Sequence, residues 1–166
     1  MNLIKIGIIG CADIALRQII PAILNLKNKY IISGIASRTE AKAYKFSSKF
    51  NIPYYIGYQN LINKQNLDAV YIPLPNSMHF EWVEKSLLKG LHVLVEKSMA
   101  CNFKDVKYLN DLAKKKNLIL IENFQFRFHR QIATIKRLIN DQCIGDLRCL
   151  KSYFGFPPFK DKSNIR

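Results

Sequence analysis

The 166 residues include only three histidines, one tryptophan and four cysteines, and no two cysteines stand in a CxxC spacing. Structural zinc sites need clustered thiolates and imidazoles, so a metal site is not expected. Cys11, Cys101, Cys143 and Cys149 read as reduced thiols of a reducing compartment. Long apolar runs are also missing, and nothing approaches the roughly 18 residues of a spanning helix. The start, MNLIKIGIIG, has no basic leading region and no small-residue cleavage site, and Gly7 and Gly10 interrupt it. A cytoplasmic chain without a membrane partner is the expectation. Acidic residues are scarce, 12 against 26 basic ones, for a net charge of +14. Nineteen of the basic residues are lysines scattered along the chain. Their one run, Lys114-Lys115-Lys116, closes a helical pattern, where ammonium groups complement the helix dipole. No basic stretch interleaved with aromatics occurs, which argues against a nucleic-acid partner. Small anionic ligands would be attracted by such a surface.

What is present is an alternation of strands and helices. Residues 2–9 are apolar and β-branched, and 13–26 carry helical spacing through Ile14, Ile19, Ala22, Ile23 and Leu26. A second strand spans 30–37, and Thr39 is placed to cap a helix that runs to Phe50. A short helix is predicted over 58–64, a strand over 68–74, and an amphipathic helix from His79 to Gly90. LHVLVE is the next strand, 102–116 a helix, LILIEN a strand and 128–142 a helix closed by Gly145. Strands separated by helices pair in parallel with right-handed crossovers. The fold class is therefore α/β, a doubly wound parallel sheet. Near residue 145 the pattern changes. GDLRCLKSYFGF alternates like a half-exposed strand from Asp146 to Phe156, and Pro157-Pro158 opens a polar tail. Two domains are expected, a Rossmann-type domain over 1–122 and a linking helix with the first strand of a further α+β domain over 123–166.

The turn after the first strand, GIIGCADIA, has the context of a dinucleotide-binding loop. Gly10, Ala12 and Ala15 occupy its three small positions. Gly10 makes the tight turn, Ala12 stands where a glycine would admit the pyrophosphate, and Ala15 lets helix and strand pack closely. Asp13 and Ile14 belong to the same candidate cofactor-binding loop. A plain packing turn fits these small residues equally well. The tip of the second strand carries Ser37 and Arg38, with Lys42 one turn further on, and no carboxylate to accept from a ribose 2′-OH. A hydroxyl and a guanidinium suit a 2′-phosphate, so NADP is preferred and NAD remains possible.

Taken with ASRTEAKA, DAVYIPLPNSMH, GLHVLVEKSMA, IENFQFRFHRQ and IGDLRCLKSYFGFP, the chain resembles the nucleotide-binding half of the Gfo/Idh/MocA oxidoreductases from about residue 3 onward. The resemblance implies a role for the odd end of LHVLVEKSMA. The family's strand-end motif is Glu-Lys-Pro, which maps onto Glu96 and Lys97, and its lysine touches cofactor and substrate and helps move a proton. Ser98 replaces the motif's proline, whose preceding bond is commonly cis. A cis bond before another residue costs about 2.5–4 kcal/mol, so a trans bond is expected. The resemblance further implies cofactor contacts at Pro73, Leu74, Asn76, His79, Glu96 and Arg127. As a bare residue Asn76 is equally suited to cap the following helix.

Family members are about twice this length, and the second half carries the sugar pocket and the subunit interface. The implied activity is NAD(P)-dependent hydride transfer to or from a sugar, keto-sugar or nucleotide-sugar. The implied ligands are a nicotinamide dinucleotide and a sugar-type substrate, with a homo-oligomer or a complementing C-terminal polypeptide completing the site. A catalytically silent nucleotide-binding fragment or sensor is the alternative.

Overall fold

The computed structural model describes residues 2–63 and 66–155. The chain forms two compact units, Met1–Asn123 and Phe124–Arg166. In the first, six strands, β1 (Ile4–Ile9), β2 (Tyr30–Ser37), β3 (Tyr54–Ile56), β4 (Ala69–Ile72), β5 (His92–Val95) and β6 (Leu120–Glu122), make one sheet in the order β3-β2-β1-β4-β5-β6. Every neighbouring pair is parallel. The helices between them are α1 (Ile20–Asn25), α2 (Glu40–Phe50), α3 (Tyr58–Ile62), α4 (His79–Leu88) and α5 (Phe103–Lys115). Side chains alternate between two cores: Val70 and Ile72 join the cluster under α3, α4 and α5, while Tyr71 joins the cluster under α1 and α2. Covering both faces is why the central strands read as unbroken apolar runs. No helix among the described residues is long and apolar enough to cross a membrane.

Gly7 of β1 and Gly34 of β2 are paired in register. A β-carbon on Gly7 would lie 3.3 Å from Leu61 Cδ2, and one on Gly34 3.1 Å from Leu61 Cδ1. The two glycines therefore open a notch in the sheet, and the fully buried Leu61 fills it together with Leu67 at Gly7 and Tyr55 at Gly34. This lets the short α3 sit directly against β1 and β2.

Three features differ from the sequence-based expectation. β3 was not anticipated, because three residues at a sheet edge carry too little pattern to register; its main chain is engaged by β2, with Ile35 N–H donating to Pro53 O at 2.9 Å. The expected single helix over 13–26 winds as a π-helix over Ala15–Ile19 before becoming α1. Ile20 N–H reaches five residues back to Ala15 O, and this wider turn comes just before Pro21, which has no N–H to continue an α-helical ladder. Thr39 does occupy the N-cap position of α2, but its side chain makes no capping bond.

In the second unit the helix expected over 128–142 is divided. A 3₁₀ turn, Gln125–Phe128, precedes α6 (Arg130–Asn140), and His129 between them is extended. Its Nδ1 accepts from Gln131 N–H at 3.2 Å and so caps α6. The strand expected from Asp146 to Phe156 does not form over 146–155, the part that is described. Strand geometry needs a neighbour to take its main-chain groups, and among the described residues this unit contains no strand. Phe156, Pro157, Pro158 and the polar tail lie outside the described residues.

Replacing Leu61 by alanine should empty the notch beneath Gly7 and Gly34. The expected loss is about 2–5 kcal/mol of unfolding free energy, the range for truncating a buried leucine. Urea denaturation followed by circular dichroism measures it, and a loss well below 1 kcal/mol would contradict this account of α3 docking.

Candidate functional site

The strand order reverses direction between β1 and β4, and in open α/β sheets ligands bind outside the carboxyl ends of the strands at such a switch point. Gly10, Pro73, Glu96 and Asn123 follow β1, β4, β5 and β6 there, and Ser37 ends β2. Gly10 has φ +117, a conformation that disfavours side chains, and a β-carbon on it would stand 2.7 Å from Leu74 Cδ2. Its N–H donates to Ala36 O at 2.9 Å. Leu74 is buried beneath the turn, so it shapes that turn from below. Ala12 and Ile14 are half-buried, Ala15 is fully buried, and the exposed Asp13 pairs with Arg17 at 3.7 Å.

At the tip of β2 the structure gathers more groups than the sequence suggested. Ser37 is buried, and its hydroxyl accepts from Thr39 N–H at 3.4 Å and hydrogen-bonds the Cys11 thiol. Burial pushes that thiol up to about 11, opposed by the Ser37 bond and the Lys42 charge. Tyr58 is buried with its ring edge-on to Trp82, centroids 5.1 Å apart, and its hydroxyl bonds the Arg38 side chain. Burial raises the Tyr58 hydroxyl, with the Arg38 charge opposing. Arg38 and Lys42 are exposed. Glu40, two residues beyond Arg38, accepts from the Tyr54 hydroxyl at 3.3 Å. Cys11, Ser37, Arg38, Lys42 and Tyr58 thus form one corner with two cations and several donors. Cys11 and Tyr58 went unnoticed because neither residue type signals a nucleotide site; their role depends on where the fold brings them.

At the tip of β5, Glu96 turns inward. Its Oε1 accepts from Tyr71 Oη at 2.7 Å and from Asn123 Nδ2 at 2.7 Å. Tyr71 is 1% exposed, and burial, followed by the Glu96 carboxylate, drives its hydroxyl far above the ordinary range, so it stays a neutral donor. Glu96 was expected to touch the cofactor; here one of its carboxylate oxygens, Oε1, is held by these two protein donors. Lys97 is exposed at the strand end. The Lys97–Ser98 bond is cis, correcting the trans expectation. The residues after it are gripped, since Met99 N–H donates to Glu122 Oε1 at 2.9 Å and Ser98 O lies 2.6 Å from His79 Nδ1.

His79 is also placed differently from the expectation of a cofactor contact. It is 0% exposed, with Nε2 2.7 Å from Leu74 O. Both ring nitrogens are used within the protein, beneath the loop. Pro73 is buried, while Asn76 is exposed at the start of a 3₁₀ turn, Asn76–Met78, where no side-chain capping bond is made. Arg127 lies in the second unit, exposed in its 3₁₀ turn. The first unit therefore brings together the Gly10 loop, the Ser37–Lys42 corner, the Pro73–Asn76 loop and Lys97 along one sheet edge.

The chain belongs to the GFO_IDH_MocA family, described as an oxidoreductase family with an NAD-binding Rossmann fold, which matches residues 4–124. It is 39% identical over 158 residues to dTDP-3,4-didehydro-2,6-dideoxy-alpha-D-glucose 3-reductase of Saccharopolyspora spinosa, covering 95% of this chain and 47% of that one. To D-xylose 1-dehydrogenase (NADP(+)) 2 of Haloferax volcanii it is 34% identical, covering 90% of this chain and 46% of that one. Among solved structures it is similar to KijD10, a 3-ketoreductase from Actinomadura kijaniata in complex with NADP and TDP-benzene. There the TM-score is 0.80 at 36% identity, covering 84% of this chain and 43% of that one. The chain thus spans about half the length of the curated relatives it matches.

The environment of Cys11 separates it from the other thiols. Cys101, Cys143 and Cys149 are exposed. At pH 8 three thiols should react quickly with an aromatic disulfide reagent and one slowly, and Cys11→Ser should abolish the slow phase. The thiol rises from its ordinary 9.0 to about 11 on folding, so between these values the unfolded chain loses a proton that the folded chain keeps. This group therefore lowers stability as pH climbs from 9.0 toward 11. Four equally fast thiols at pH 8 would contradict the burial.

Proposed function

We propose that this chain is the nucleotide-binding half of an NADP-preferring sugar oxidoreductase. The observation that carries the proposal is the corner at the tip of β2. There Ser37, Arg38 and Lys42 offer donors and positive charge, and Glu40, the carboxylate between Arg38 and Lys42, is bonded to Tyr54. A ribose 2′-phosphate matches such a set, because a guanidinium meets phosphate oxygens with paired, charge-assisted bonds. The Gly10 turn supports a pyrophosphate in another way, since the missing β-carbon lets it pack tightly on Leu74 in the sharp strand-to-helix turn such a loop needs.

In this reading a bound nicotinamide supplies or accepts the hydride at the sugar carbon. Lys97, exposed beside the crevice, gives the accompanying proton to the carbonyl oxygen in reduction and takes it back in oxidation. Tyr71 and Asn123 hold the Glu96 side chain before Lys97, and His79 and Glu122 hold the main chain of Ser98 and Met99 after it, so the ammonium is presented from a fixed strand end. The names of the relatives, 3-reductases acting on dTDP-linked deoxy-keto-sugars and a 3-ketoreductase seen with TDP-benzene, support a nucleotide-linked keto-sugar as substrate. The matched part is about half of those proteins, so the sugar side of the pocket is assigned to polypeptide outside it. A silent nucleotide-binding role is less favoured, because it gives no use to an exposed lysine whose chain neighbours Glu96, Ser98 and Met99 are each held by other residues.

Fluorescence titration of the purified chain should give tighter binding of NADPH than of NADH. Arg38→Ala should weaken NADPH by about 10- to 100-fold, the effect of losing a hydrogen bond to a charged group, and leave NADH almost unchanged. Equal affinities, or a preference for NADH, would overturn the NADP assignment.

A further inference from the structure

The loop after β4 and the segment carrying Lys97 are separate in sequence, yet one side chain touches both. His79 opens α4 with no exposed surface, and its ring faces two main-chain oxygens, Leu74 O at 2.7 Å from Nε2 and Ser98 O at 2.6 Å from Nδ1. Carbonyl oxygens only accept. A neutral imidazole carries one N–H and one lone pair, so it can satisfy one of these oxygens and must turn a lone pair against the other. At these short separations, in a buried place, that opposition is unfavourable. Both oxygens are satisfied only if each ring nitrogen bears a proton.

The two oxygens sit at mechanically important points. Leu74 is the residue whose side chain lies under the Gly10 turn. Ser98 is the residue next to Lys97. Tyr71 and Asn123 hold Glu96, and Glu122 holds Met99, but these contacts reach the lysine segment from strands of the sheet. His79 reaches it from the Leu74 loop. We propose that His79 is a positioning residue, protonated on both ring nitrogens, that straps the loop under the nucleotide turn to the segment presenting Lys97. Its functional consequence rests on the assignment of Lys97 and the Gly10 turn above: ordering of the nucleotide turn is transmitted to the lysine through Leu74 O, the imidazole and Ser98 O. The strap itself does not depend on that assignment.

Two amides report on the two ends, Met78 N–H bonded to Pro75 O at 2.9 Å and Met99 N–H bonded to Glu122 at 2.9 Å. In ¹⁵N NMR of the 166-residue chain at pH 7, both His79 ring nitrogens should show one-bond couplings to protons. In His79→Phe, which fills the space without donors, both amides should exchange about tenfold faster, as expected for loss of one hydrogen bond's net stabilisation. The Ile35 amide, bonded to Pro53 O across the sheet, should not change. If the phenylalanine variant does not fold, His79→Gln decides, since its single amide can serve only one carbonyl and should leave at least one reporter unprotected. A ring with a single N–H, an unchanged Met99 amide in His79→Phe, or two protected reporters in His79→Gln would each overturn the strap. Adding NADPH separates the two proposals. Binding that leaves both amides unchanged defeats transmission through the strap, whereas ring nitrogens and variants that behave as expected in a chain that does not bind NADPH defeat the cofactor assignment alone.

Discussion

The architecture of this chain depends on one close approach. Gly10 and Leu74 meet across the point where the strand order reverses, at a distance that leaves no room for a β-carbon. The turn after β1 can then lie close over the loop after β4. The positive φ at Gly10 and the packing of Ala15 serve the same geometry, one by bending the chain and the other by letting the first helix start close to the sheet. A second close approach, Leu61 in the Gly7–Gly34 notch, brings Tyr58 near the tip of β2. Small residues thus decide where the larger, chemically active ones end up.

Much of the fold was legible in the sequence because the central strands are buried on both faces. A strand in that position must be mostly apolar, and β1, β2, β4 and β5 are, with Lys5, Ser33, Ser37 and His92 the exceptions. β3 escaped notice, since its exposed Tyr54 and Ile56 belong to a three-residue edge strand. The strand expected beyond residue 145 shows the converse. Alternating apolar residues describe a face that could be covered, and without a partner strand among the described residues the pattern produces no ladder.

The candidate site was legible where residue chemistry alone carries meaning. A hydroxyl, a guanidinium and an ammonium at the tip of β2 point to phosphate wherever their side chains turn. For Glu96 and His79 residue type carries less. Each is a polar residue within a motif, and the sequence cannot say whether it faces the ligand or the protein. The fold decides this by strand parity: Glu96 continues the side of β5 that faces Tyr71, not the open edge. Tyr71 itself reads as one more strand residue, and only its register opposite Leu94, two residues before Glu96 and on the same side of the strand, brings its hydroxyl to the carboxylate.

The inward-turned Glu96 also constrains how this protein can change over time. One carboxylate oxygen serves two donors, the Tyr71 hydroxyl and the Asn123 amide, and Tyr71 is held neutral and almost wholly enclosed. Losing Glu96 alone strands both donors, and losing either donor alone leaves a charge less well solvated, whereas replacing all three with apolar residues of matching shape removes the unmet demand altogether. The three positions therefore form an epistatic set. Single steps away from it lead downhill in stability, and the route to another stable combination requires them to change together.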